Sequence, residues 1–206
     1  MRAGEAELYL AGSGSFAVEV GDWAHDAGWR VVGLIELLDS SRVGTVIEGH
    51  PVIAPDSPPP NAHAVIAIGG DRDEHWPRIE SHGWHAATVV HPHAHVSSTA
   101  TLAAGCVVAP GAVIGAQTTL ARHTLVSRGA LVGHHVRVGE FVSLLPGVNV
   151  GGHVEIGART VVGMGAVIVN GTTVGLGATI AAGAVVLSEV EGGTRVQGVP
   201  ARRYSK

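Results

Sequence analysis

Residues 126–150 read VSRGALVGHHVRVGEFVSLLPGVNV, and within them Val126, Val132, Val138, Leu144 and Val150 stand six apart. Followed outward, the register runs back through Leu120, Ile114, Val108, Leu102 and Val96 to Val90. It runs forward through Ile156, Val162, Ile168, Val174 and Ile180 to Val186, making seventeen aliphatic positions without a slip. Four residues after each comes a small or β-branched residue, from Ala94, Ala100 and Cys106 to Ala184 and Val190. A helix repeats every 3.6 residues and a plain strand every 2, so neither produces this pattern. A six-residue repeat is the mark of a parallel β-helix. If each hexapeptide is a short strand plus a tight corner, the aliphatic residue points into a narrow shaft and the small residue fits the corner beside it. Three hexapeptides close one coil, so residues eighteen apart stack, and seventeen repeats make a prism roughly 27 Å tall at about 4.8 Å per coil.

Composition agrees with this reading. The chain has 206 residues, enough for one or two domains with a sizeable core, and its 30 glycines with only 4% aromatics suit tight corners. A formal charge of −4 without basic clusters argues against nucleic acid or an anionic membrane as partner. No apolar run reaches the roughly 18 residues of a membrane span, and Met1 to Leu10 lacks the pattern of a secretion leader. The expectation is a soluble, cytoplasmic protein. The single cysteine, Cys106, falls on a small inward position and reads as packing, with no disulfide.

Upstream of the repeats the pattern changes. Leu8 to Leu10 reads as a buried strand, Gly12 to Ser15 as a turn, Phe16 to Ala27 as a helix stopped by Gly28, and Arg30 to Ile35 as a second strand. Ala64 to Ile68 reads as another strand, and Asp73 to His82 as a helix closed by Gly83. Strand, glycine turn, helix, strand is half of a doubly wound α/β domain. The expected fold class is mainly β, a parallel β-helix preceded by a small Rossmann-like α/β domain, with residues 1–85 forming the α/β domain and 86–206 the helix and its tail. Gly12-Ser13-Gly14-Ser15-Phe16-Ala17 fits the fingerprint G-x-G-x-x-G/A, with Glu36 after the next strand in the ribose-binding position. Such glycines let a phosphate approach the backbone at a helix start. About 85 residues give only half of a dinucleotide domain, so a mononucleotide or nucleotide-linked sugar is the favoured ligand.

Taken together, these segments resemble the bacterial sugar acetyltransferases of the left-handed β-helix superfamily, in the subgroup of UDP-bacillosamine N-acetyltransferase, perosamine N-acetyltransferase and sialic acid O-acetyltransferase. The resemblance rests on the glycine turn, Glu48-Gly49-His50-Pro51-Val52, Ala64-Val65-Ile66-Ala67-Ile68-Gly69, Val90-His91-Pro92, the repeats, and Gly198-Val199-Pro200-Ala201-Arg202. It implies a left-handed coil, a homotrimer with active sites in clefts between prisms, acetyl-CoA as co-substrate, and a nucleotide-sugar acceptor.

The family's reactive segment falls on Gly133 to Phe141, which places its general base on His134. An attacking amine or hydroxyl must shed a proton, and imidazole titrates near neutrality, where that transfer is most useful. His135 stands where the family has an acidic residue, and it lies eighteen before His153, so the two should stack on adjacent coils, where the pair either substitutes for the acid in catalysis or leaves a weakened base. By the same resemblance the Gly152 amide meets the developing oxyanion. Ser143 stands at the acyl-donor end, Met164, Ala182 and Gly183 line the pantetheine groove, and Gly198, Pro200 and Ala201 cross it. Ser13, Gly14, Ser15, Glu36 and Gly69 match the nucleotide-sugar pocket, with Ser15 and Ile35 replacing a histidine and an acid. No metal is implied. Two rival readings share the fold. One is a non-catalytic or degenerate trimeric binding protein, and the other a γ-carbonic-anhydrase-like metalloenzyme, whose ligand spacing His134, His135 and His153 do not fit. His91, His93 and His95 read as solvated residues at the prism entry, and Trp23, Trp29, Trp76 and Trp84 as core of the first domain.

Overall fold

The structure is a computed structural model that describes residues 6–56, 58–70 and 72–204; residues 1–5, part of the stretch searched for a leader, lie outside it. The chain divides into two compact units, Met1–His91 and Pro92–Lys206.

The second unit is a parallel β-solenoid, and the chain as a whole is mainly β. Two-residue strands stack in three columns with a constant offset of eighteen: Thr119 pairs with Arg137 and Arg137 with Glu155, while Leu125 pairs with Ser143 and Ser143 with Val161. The hexad aliphatics from Val108 to Val186 are all at most 3% exposed, and Cys106 is fully buried beside them. Each contributes about 1.5–3 kcal/mol by leaving water. The period fails only after Val186: Ile180 pairs with Val196, sixteen residues on, so the last coil is two residues short.

The corners carry a second period that the aliphatic series does not reveal. Every sixth residue from Gly105 to Gly183 turns with φ between 57° and 81°. Glycine fills most of these positions, but Gln117, His123, His135, Phe141, His153 and Arg159 also adopt the left-handed conformation, at φ from 57° to 60°. For a residue with a Cβ that conformation costs about 1 kcal/mol or more.

The first unit is a twisted sheet with two α-helices among its described residues. Its elements are β1 (Glu7–Ala11), α1 (Ser15–Asp26), β2 (Arg30–Ile35), β3 (Val46–Ile47), β4 (His50–Ile53), β5 (His63–Ile66), α2 (Arg72–Ser81) and β6 (His85–Ala86). In space the order is β3-β4-β2-β1-β5-β6, parallel throughout except for the β3/β4 pair. The chain thus leaves β1 in one direction through β2 and returns on the other side as β5. α1 buries Ala17, Val20, Trp23 and Ala24; Phe16, expected on that face, is only half-buried and meets Trp23 edge to face at 6.1 Å. Trp76 and Trp84 are core residues, whereas Trp29 is half-buried against His63. His91 corrects the expectation of a solvated entry: it is buried, with its Nε2 3.0 Å from Asp26 Oδ2, while His93 and His95 are exposed.

Candidate functional site

Each unit holds one candidate site. In the α/β unit, β1, β2 and β5 end side by side where the strand order reverses about β1, the place at which open parallel sheets take their ligands. A cavity of about 360 Å³ lies there, lined by Gly12, Ser13, Gly14, Ser15, Phe16, Glu36, Leu38, Asp39, Arg42, Ala67, Ile68 and Gly69. All five residues assigned to nucleotide-sugar binding from the sequence, Ser13, Gly14, Ser15, Glu36 and Gly69, therefore share one wall system. Gly12 is required by packing, since its φ is 143° and a Cβ would fall 2.6 Å from the Ala67 carbonyl oxygen. Gly14 differs, because a Cβ there would meet nothing within 4 Å, so the start of α1 stays open to a ligand. A larger cavity of about 430 Å³, with Asp22, His25, Arg30 and His50 in its lining, sits near the opposite ends of β2 and β4 and gathers none of the assigned residues.

Glu36 is the pocket's fixed acid. It is 6% exposed; one carboxylate oxygen accepts Leu38 N at 2.8 Å and Asp39 N at 2.9 Å, and the other accepts the Ser13 hydroxyl. Burial by itself pushes the carboxyl up, but the hydrogen bonds from Ser13, Asp39, Leu38 and Leu37 outweigh it and hold the group below its ordinary range. Arg42 completes the wall, with Nη1 3.2 Å from Ser13 Oγ and 3.4 Å from the Ser13 carbonyl. Sequence reasoning missed Asp39 and Arg42. The signal was slight: Asp39 caps the short turn Ser40–Arg42, which brings the guanidinium back to Ser13.

In the solenoid, His134, His135, Gly152 and His153 occupy one edge. His134 and His135 follow the strand Leu131–Val132, Gly152 and His153 follow Asn149–Val150 one coil on, and His153 N donates to the His134 carbonyl at 2.9 Å. The expected stack is present: the His135 and His153 rings lie 4.8 Å apart at 21°. His134 stands edge-on to both, at 5.2 Å and 5.0 Å, and its Nδ1 is 3.1 Å from His135 Nδ1, so one nitrogen carries the shared proton and the other accepts it. All three rings are exposed. A Cβ on Gly152 would lie 2.8 Å from the His134 ring, so glycine there is what lets the imidazole lie across the corner. Of the acids nearest in sequence, Glu155 is ion-paired with Arg137, and Glu140 is exposed on the next corner.

Two assigned residues behave differently from expectation. The Gly152 amide already donates to Asn170 Oδ1 at 3.0 Å, one coil further on, a partner the sequence reading did not anticipate. Ser143 is 5% exposed and sits in a strand rather than at a corner. Met164, 57% exposed, stacks with Ala182 and Gly183 on a different edge from His134, and Gly183 N donates to the Met164 carbonyl at 2.8 Å. Gly198 and Pro200 are exposed where the tail passes Val185, whose amide donates to the Gly198 carbonyl at 3.0 Å and whose carbonyl accepts Ala201 N at 2.7 Å.

No protein-family model and no curated protein matches this sequence. Solved structures do. PerB from Caulobacter crescentus, in complex with CoA and GDP-perosamine, aligns with a TM-score of 0.89 at 25% identity, over 99% of each chain. The acetyltransferase domain of PglB from Neisseria gonorrhoeae, in complex with acetyl coenzyme A, aligns at 0.87 and 28% identity, over 98% of this chain and all of that one. WeeI from Acinetobacter baumannii shares the fold at 0.85 and 22% identity, over 98% of this chain. The Caulobacter GDP-perosamine N-acetyltransferase was also solved with one histidine changed to alanine or to asparagine. Over its whole length, then, this chain is similar to the sugar N-acetyltransferases that its sequence resembles.

Proposed function

We propose that this chain is an acetyl-CoA-dependent acetyltransferase that acetylates an amino, or alternatively a hydroxyl, group of a sugar linked to a nucleotide. The observation that carries the proposal is the full-length similarity to an enzyme solved with CoA and a nucleotide sugar, because it covers the pocket unit and the histidine corner together. The α/β unit, residues 1–85 with the Rossmann-like turn, holds the nucleotide sugar. Its glycine-opened helix start and Arg42 supply donors to the phosphates, and Glu36 accepts from the sugar hydroxyls or orients Ser13 to do so. Residues 86–206 form the acyltransferase domain, a left-handed coil.

Transfer is direct. With His134 Nδ1–H donating to His135 Nδ1, the His134 Nε2 lone pair is free to take the proton of the attacking nitrogen or oxygen. The new bond to the thioester carbon forms as the carbonyl π pair moves onto oxygen. The Gly152 amide passes from Asn170 to that oxyanion, a contact worth about 3–4 kcal/mol when well aligned. Collapse breaks the C–S bond, and the CoA thiolate takes the proton back from His134. No covalent enzyme intermediate enters, since Cys106 is buried. His134 and the Met164/Ala182/Gly183 groove lie on different edges of one prism. Each complete site therefore takes its acyl-donor groove from a neighbouring copy, as in a homotrimer, with the tail from Gly198 to Ala201 beside it. The protein works in the cytoplasm, where acetyl-CoA and nucleotide sugars occur.

The test is a panel of UDP-, GDP-, dTDP- and CMP-linked amino sugars, with free serine as control, read by CoA release. Release with one nucleotide sugar is expected. Release only with a free small acceptor, or with none, overturns the reading.

A further inference from the structure

We infer that His134, His135 and His153 form a three-imidazole site for a divalent transition metal, and that zinc bound there denies His134 the free lone pair the transfer reaction needs. Among the described residues, these three make the one group of three or more histidines, cysteines or acids whose ligand atoms come together, all within 4.8 Å of one another. Zinc bound by imidazoles at about 2.0–2.1 Å needs its ligand nitrogens some 3.3–3.5 Å apart. One pair, the Nδ1 atoms of His134 and His135, already stands at 3.1 Å, and rotation of the exposed His153 ring supplies the third.

The backbone makes the cluster rigid where it matters. His135 and His153 hold equivalent corners of consecutive coils, and the amide of His153 is tied to the carbonyl of His134, so the three Cα positions are set by the solenoid. Both corner histidines have positive φ, 57° and 58°, a conformation that glycine takes without cost and that glycine does take one coil on, at Gly171. A side chain there costs about 1 kcal/mol per residue, as it does at Gln117 one coil before, and the His135 and His153 rings stack on each other at 4.8 Å.

The donor set also selects the metal. Three neutral imidazoles with no carboxylate suit zinc, cobalt, nickel or copper and exclude magnesium and calcium, which want oxygen. Three protein ligands leave a coordination position open to water. With His134 Nδ1 on the metal, the neutral ring carries its proton on Nε2, so His134 no longer has a lone pair for the acceptor proton.

The inhibitory consequence rests on the acetyltransferase reading; the binding site does not. Equilibrium dialysis of the full chain against ZnCl2 should find a zinc per chain that is lost in His153→Gly, a substitution that keeps the corner conformation. His135→Asn, which also tolerates the left-handed corner, should weaken the site by at least about tenfold, the loss that even outer-sphere partners of a metal ligand produce. Cobalt should give a visible d–d spectrum that disappears in the same variants. For inhibition, initial rates taken before free CoA thiol accumulates should fall with zinc, recover with EDTA, and stay constant in His153→Gly. Equal zinc affinity and cobalt spectra in wild type and His153→Gly overturn the site. Zinc loss in His153→Gly without transfer activity in any form upholds the site and sinks the enzyme reading, so the two failures are told apart.

Discussion

The two candidate sites are built by opposite means. In the α/β pocket Ser13 and Glu36 are buried and mutually satisfied: Glu36 accepts from Ser13, Leu38 and Asp39, and Ser13 lies between it and the exposed Arg42. On the solenoid edge the imidazoles are exposed, and their positions come from the ladder beneath them. The contrast teaches that precision has two sources. A pocket that holds a large ligand needs a closed network of side chains, whereas a group that must reach across to a second substrate is better set on a rigid backbone with its ring in the open. The first arrangement should govern affinity and the second turnover, and substitutions can separate them.

The largest separation should come from His134→Ala. Loss of a general base typically costs about 10²–10⁴-fold in rate, and the ring contributes nothing to the buried shaft. kcat should collapse while nucleotide-sugar affinity and the thermal midpoint stay near wild type. A kcat within a few-fold of wild type would remove His134 from the mechanism. Gly152→Ala comes next: its methyl must occupy space 2.8 Å from the ring. Displacing a reacting group by about 1 Å can cost on the order of 10²-fold. Here the protein keeps the imidazole and loses its aim, so zinc affinity and turnover should both drop.

The pocket predictions run the other way. Arg42→Ala removes the cation beside Ser13. Losing one charge-assisted hydrogen bond, worth about 1.5–3 kcal/mol, should raise KM for the nucleotide sugar roughly tenfold or more with kcat little changed. Equal effects on kcat would mean that Arg42 acts on the chemistry instead. Glu36→Gln probes the same network through pH. Because hydrogen bonding holds the folded-state acid below its ordinary range, Glu36 adds stability at pH values above the unfolded-state value. That contribution is lost as pH falls through the depressed folded-state value. The thermal midpoint of wild type should therefore fall more steeply than that of Glu36→Gln below about pH 5, as followed by circular dichroism. Parallel curves would mean that the carboxylate is not held as described.

The same contrast governs what the sequence disclosed. The shaft was legible residue by residue, because a period of six with an aliphatic at every step from Val108 to Val186 leaves no other way to bury them. The stacking of His135 on His153 followed from that register alone. The α/β pocket was legible through its glycines, whose roles the structure divides between packing at Gly12 and openness at Gly14. Arg42 escaped because it acts over a distance that no local pattern encodes, whereas Asn170 stands at the eighteen-residue offset of the coil, and what the period does not encode is that its side chain turns to an amide. Arg42 reaches back 29 residues through a short turn, and Asn170 caps the amide directly below it on the adjacent coil, the one that the resemblance reserves for the oxyanion. The burial of Ser143 was not legible, because its place came from the resemblance and not from the period.

Asn170 supplies the smallest expected effect and the finest test of the solenoid edge. Its Oδ1 accepts the Gly152 N–H at 3.0 Å, so the oxyanion must displace a neutral hydrogen bond whose net worth is about 0.5–1.5 kcal/mol. In Asn170→Ala, water takes that place and is displaced in turn, so the free-energy difference between the resting amide and the oxyanion complex changes by no more than the same amount. kcat should shift by less than about tenfold, with KM for the nucleotide sugar unchanged. A loss as deep as that of His134→Ala would mean that Asn170 itself touches the reacting carbonyl and that the Gly152 amide is only its anchor. That result would move the oxyanion contact one coil along the edge, leaving His134 as the base.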